Sequence, residues 1–191
     1  MAIHLKTQWH KSEKKSIEDV ASALAFNIWR LSVHTVDHIG DEEFQFETVQ
    51  IRFSVLEEVL IFSVQVVERL AYRQMEDELR QRLITTMVLH LANTIDENQK
   101  EWIGPGEYRS SFITKYNELS ADYATFSFSG DQPGYSFRRY LGDCVLSKMG
   151  EKNRWVIDQV IEIEIPELLK GITRSFEGLF EKNGSPQSIA N

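Results

Sequence analysis

Cysteine, long apolar runs, glycine-rich phosphate loops and clustered basic residues are all scarce or missing here, and each scarcity removes a class of protein. Cys144 is the single cysteine. It cannot form an internal disulfide, so a reducing cytosol is expected over a secreted scaffold. The start, Met1 to Lys6, lacks the charged-then-apolar layout of a secretory leader, which also points to a cytoplasmic protein. The most apolar stretch, Val59 to Leu70, is interrupted by Gln65 and Glu68. That is short of the roughly 18 uncharged residues that cross a bilayer, so no membrane association is expected.

Neither Gly-x-x-x-x-Gly-Lys nor Gly-x-Gly-x-x-Gly occurs, and no serine stands in a Gly-x-Ser-x-Gly elbow. Nucleotide cradling and elbow-type acyl transfer therefore lack their signatures. Basic residues number 21 against 29 acidic ones, a formal charge of -8. An acidic chain repels phosphate backbones unless a local patch overcomes the field, and Lys11, Lys14, Lys15 and the Arg138-Arg139 pair are too short to track one. Nucleic acid is not expected as a partner.

What is present is a three-and-four rhythm of apolar residues, the mark of amphipathic helices. Ser16 to Asp19 reads as a capping box opening a first helix. Ile17, Ala21, Leu24, Ile28, Leu31 and Thr35 form its seam, and Phe26, Trp29, Val33 and Val36 a second strip, as on a central helix. Gly40 should end it in left-handed geometry. Asp41, Glu42 and Glu43 then suit the start of a second helix, apolar over about 200° of arc by wheel counting. A continuous rod to Trp102 would be out of proportion, so a break is expected near Met75 to Asp77. The third helix stops at Gly104-Pro105-Gly106. A fourth carries Tyr108, Phe112, Tyr116 and Leu119. Alternation around 124–138 allows a small β-hairpin. A fifth runs from about Phe137 to Lys148, and Asn153 can cap a sixth, which Pro166 kinks or divides.

These elements predict an all-α fold: an antiparallel up-down helical bundle of three to four long helices plus two short ones. The expected division is an arm over 1–15, one bundle domain over 16–183 and a disordered tail over 184–191.

Four constellations could carry chemistry. His34 and His38 stand one turn apart with Asp37 beside them, a spacing that lets two imidazoles meet one metal ion. The plainer reading is a polar stripe facing water with Asn27, Arg30 and Asp41. His90, with Glu97 on the adjoining side, could join them across a helix contact, giving a ligand set suited to iron, manganese or zinc. Alternatively His90 is a core-edge histidine bonded to a neighbour. The second helix carries Glu43, Glu47, Glu57, Glu58 and Glu68, but Glu-x-x-His occurs nowhere, so the di-iron bundle pattern fails and a solvated acidic face is expected. Finally, Tyr123, Phe126, Phe128, Tyr135, Phe137 and Tyr140 could line a small-molecule pocket or contact a partner, or simply pack a loop onto the bundle.

No catalytic residues emerge, and Cys144 beside Asp143 reads as a structural thiol. The leading expectation is a non-catalytic protein-interaction module that self-associates as a homodimer to cover its apolar surface. A divalent-metal-binding bundle using His34, Asp37, His38, His90 and Glu97 is the alternative, and a small-molecule-binding bundle with an aromatic-lined pocket is the second.

Overall fold

A computed structural model describes residues 15–41 and 44–181. Most of the expected arm, Glu42, Glu43 and the expected tail lie outside the described residues. Helix α1 spans Ile17–Asp41. Its start is the capping box: the Asp19 amide donates to Ser16 Oγ at 3.1 Å, and the Ser16 amide donates to Asp19 Oδ2 at 3.1 Å. The helix runs through Gly40 instead of ending there, and Gly40 is not among the positive-φ glycines. Its value is closeness, since a Cβ on Gly40 would lie 3.2 Å from the Phe46 ring.

Asp41 belongs to the end of α1, and helix α2, Val49–Tyr72, begins only after Thr48, whose hydroxyl accepts from the Ile51 amide at 3.2 Å. A side-chain cap, not a run of acidic residues, starts this helix. The expected break falls between Tyr72 and Asp77, where helix α3, Asp77–Trp102, begins. The stretch from 49 to 102 is thus two helices. Gly104, at φ 117°, turns the chain out of α3.

The central rod is α2, not α1. It packs against α1, α3 and three later helices: α4 (Tyr108–Ala124), α5 (Tyr135–Met149) and α7 (Ile165–Glu181). A helix enclosed on all sides explains an apolar arc too wide for a surface helix. Most of the wide apolar arc of α2 is covered within one chain.

Between α4 and α5 lies a minimal antiparallel hairpin, β1 (Phe128–Ser129) and β2 (Gln132–Pro133), with Phe128 opposite Pro133. Tyr135-Ser136-Phe137 is already the first turn of α5, so the hairpin is shorter than the alternation suggested. After α5, Gly150 takes φ 79°. Asn153 does not cap the next helix; its Nδ2 donates back to Met149 O at 2.8 Å.

The chain then passes through the short α6, Val156–Gln159, and a π-helical turn, Val160–Glu164, into α7. In that turn the Ile165 amide donates to Val160 O, five residues back. Pro166 supplies a reason. It has no amide hydrogen, and its ring collides with the carbonyl four residues earlier in a regular helix, so widening the preceding turn relieves the crowding.

The aromatic segment packs onto the bundle. Phe137 is fully buried, with ring centroids 4.6 Å from Tyr123, 5.4 Å from Phe62 and 5.7 Å from Phe128. Phe126 and Tyr140 close the cluster over Tyr123, while Tyr135 stays exposed. Phe137→Ala should therefore cost about 3–5 kcal/mol, through lost burial plus a cavity. Tyr135→Ala should cost about 0.5 kcal/mol or less. Urea denaturation followed by far-ultraviolet circular dichroism compares the two.

Candidate functional site

The metal-ligating candidates of the sequence are only partly brought together. His34 and His38 stack with ring centroids 6.5 Å apart and planes 7° from parallel. Asp37 is drawn away to an ion pair with Arg52 at the start of α2. His90 and Glu97 are both exposed on α3, so the partly buried, core-edge placement expected of His90 does not hold. Among the described residues, no group of three or more histidine, cysteine, aspartate or glutamate side chains is gathered so that it could hold a metal ion.

His38 instead meets a residue that sequence reasoning missed. Its Nδ1 lies 2.7 Å from Oε1 of Glu164, and the Gln159 amide nitrogen donates to the same oxygen at 2.8 Å. Glu164 Oε1 thus accepts from the Gln159 amide and stands within hydrogen-bond reach of His38 Nδ1. Glu164 is only 5% exposed. A carboxylate so enclosed needs its partners, and the π-turn supplies them by setting Gln159 and Glu164 on the side facing α1. A trace was visible in the sequence: Glu164 stands three residues after Ile161 and four before Leu168, in the middle of an apolar seam.

Beside this triad, α1 and α7 bound a groove of about 390 Å³. Gly171 lets the two helices close, because a Cβ there would meet Leu31 Cδ2 at 2.6 Å. His34, His38, Lys170 and Arg174 line the groove together with Glu164 and Glu167. Glu164 is taken by His38 and Gln159, and Glu167 lies 3.8 Å from Lys170. Arg174 forms no ion pair among the described residues. The groove is therefore polar, with Arg174 as its uncommitted cation among the described residues, and its size falls in the range of about 300–1,000 Å³ usual for small-molecule sites. By contrast, the apolar crevice between Trp29, Phe53 and Leu56 offers about 20 Å³, room for a water-sized guest.

A second polar cluster lies inside the bundle, and it overturns the expected solvated acidic face of α2. Glu47 is exposed, but Glu58 is 3% exposed and Glu57 is largely covered, because α4 lies across them. Lys115 of α4 binds Glu57 at 3.1 Å and Glu58 at 2.8 Å, and Lys148 of α5 approaches Glu58 at 3.7 Å. Gln99 of α3 donates to Glu57 at 2.7 Å. Glu68 pairs with Arg69 and Arg80. Next to this network, burial first and the Glu58 charge second push the Cys144 thiol up to about 12. Burial also raises Tyr123 and Tyr140 above the usual phenol range. A thiol held protonated is no nucleophile.

With this geometry in hand, comparison with known proteins adds no relative: no protein-family profile, curated protein or solved structure matches the chain. What the fold and site define is a class, an all-α helical bundle with a polar groove between α1 and α7. No helix among the described residues is long and apolar enough to cross a membrane.

Two outcomes follow from the interior charges. Lys115→Met leaves two covered carboxylates without their main cation and should cost about 3 kcal/mol in urea denaturation. Adding Glu57→Gln and Glu58→Gln to it should restore most of that loss. For the thiol, the folded chain keeps a proton that the unfolded chain releases above its ordinary value of 9.0. Stability should hence fall as pH climbs from 9.0 toward about 12. Alkylation of Cys144 by iodoacetamide at mildly alkaline pH should be slow in the folded protein and fast in urea.

Proposed function

We propose that the protein is a non-catalytic binding protein whose α1–α7 groove takes a small anionic ligand bearing a carboxylate or phosphate group. The observation that carries this reading is the electrostatic arrangement of the groove. Its buried carboxylate, Glu164, is already engaged by His38 and Gln159, and Glu167 lies against Lys170, so the Arg174 guanidinium is the cation left for a ligand to meet. A guanidinium beside a concave polar wall favours planar oxyanions through paired, charge-assisted hydrogen bonds.

This reading shifts the weight from self-association to ligand binding. Self-association was motivated by apolar surface beyond the needs of a small core, and α2 consumes that surface by lying at the centre. Of the large apolar side chains that stay exposed, Tyr72 ends α2, Leu89 and Trp102 belong to α3, and Trp155 precedes α6.

Thermal unfolding at low ionic strength, against phosphate, citrate and short dicarboxylates with chloride as the ionic-strength control, tests the reading. A bound anion should raise Tm in a saturable way, the stabilisation reaching about 2.7 kcal/mol at a hundredfold excess over Kd. Arg174→Ala should abolish the response. Loss of the idea would come from a panel that produces no saturable rise, or from a variant that responds like the parent.

A further inference from the structure

We propose that the ligand of this groove reaches across α7 into a second anion subsite built around Arg138, so that it is an elongated molecule with two anionic groups about one helix width apart. This deepens the groove reading and rests on it. On the other flank of α7, between that helix and the hairpin–α5 segment, lies a further recess of about 520 Å³. Arg138, Gln132, Thr173, Lys170, Arg174 and Glu177 are among the residues lining it. Lys170 and Arg174 line both recesses. They stand one helical turn apart on the exposed ridge that separates them, so the two grooves share one cationic crest.

Arg138 is the distinctive member. Its neighbour Arg139 is neutralised by Asp143 at 2.9 Å. Arg138 itself forms no ion pair among the described residues, and its Nε is buried without a hydrogen-bond partner there. A partly buried guanidinium without a carboxylate carries an uncompensated cost, which an arriving oxyanion offsets. Arg138, Lys170 and Arg174 line this recess with one carboxylate, Glu177, and Lys170 is set against Glu167 of the first groove. Arg138 thus adds a cation on this flank to the one that Arg174 offers from the crest, and a helix with its side chains is about 10–12 Å across. A molecule bridging them must carry its charges at about that separation.

The sequence could not have shown this, because Arg138 and Arg174 are brought to one recess only by the docking of α5 and the hairpin against α7. Linear phosphates make a graded ruler for the idea. Inorganic phosphate, pyrophosphate, tripolyphosphate and a longer linear polyphosphate are titrated calorimetrically into the full chain at matched ionic strength. The expected result is weak binding of phosphate and pyrophosphate, then a gain on the order of 100-fold once the chain can span α7, as expected for two linked subsites.

Arg138→Ala should erase that gain while a phosphate response remains in the α1–α7 groove. Arg109→Ala on α4, which removes equal charge elsewhere, should leave the gain intact. If Arg138→Ala does not fold, judged by circular dichroism, Arg138→Gln serves in its place, since it keeps the stem and removes the charge. A gain that survives loss of Arg138, or affinities that rise smoothly with probe charge and fall equally in Arg109→Ala, would overturn the second subsite and leave the first groove standing. Failure of every probe, phosphate included, would overturn both.

Discussion

The burial of α2 governs the rest of the structure. Ten consecutive residues, Glu58 to Val67, are all buried, so every side of this helix must be covered by another. Apolar positions are covered at a gain of about 1.5–3 kcal/mol for each large side chain. Glu58, Ser63 and Gln65 are covered too, and burying them without partners would cancel much of that gain. Ser63 solves the problem locally by donating to Val59 O at 2.7 Å. Gln65 needs Ser120 at 2.6 Å, and Glu58 needs Lys115. Both partners belong to α4, so the polar groups of α2 dictate where α4 sits along it. Sliding α4 by one turn would strand a carboxylate and an amide together, and an ionic cluster of this kind serves better as a register than as a source of stability.

Periodicity made the helices legible because each buries at least one continuous face, and even the gap after Tyr72 could be inferred from length alone. The sequence misled where a helix wheel has no information about neighbours. Glu58 and Gln65 lie opposite the main apolar arc of α2, and only the arrival of α4 separates an inward polar pair from a solvated one. The same limit applied to α1 and α2, where α1 read as the central helix and α2 turned out to be. Helix ends were misread where chemistry competed. Gly40 looked like a stop, yet its missing Cβ serves the approach of Phe46. Acidic residues at 41–43 suited a helix start, yet Thr48 provides the actual side-chain cap.

For the site, His34, Asp37 and His38 were legible as polar residues at helical spacing, but their partners were not. Asp37 goes to Arg52, 15 residues away, and His38 goes to Glu164, 126 residues away. No local pattern encodes such pairings. The one clue was a carboxylate in an apolar seam, and its meaning depended on Pro166. By forcing a wide turn, the proline rotates the face of the chain just before α7 and delivers Gln159 and Glu164 to α1 together. A regular helix would have advanced them by 500° over five residues at the ideal pitch of about 3.6 residues per turn, whereas a π-turn takes fewer degrees per residue and brings them nearer to one face.

Net charge then constrains how the groove can work. A chain of formal charge -8 repels anions at a distance, and at physiological ionic strength that field fades beyond about 8 Å. For the anion binding proposed above, long-range steering would oppose the ligand, so recognition would rest on contact with specific cations. Lys170 and Arg174 sit on a helix whose inward face is apolar, with Leu168, Leu169, Ile172 and Phe176 all buried. Anchoring that face to the core fixes the points from which the two side chains extend, so both reach out from one rigid ridge. Affinity at such a site grows with the number of cations a ligand reaches at once. The common crest of the two recesses is the part of α7 where that number is greatest.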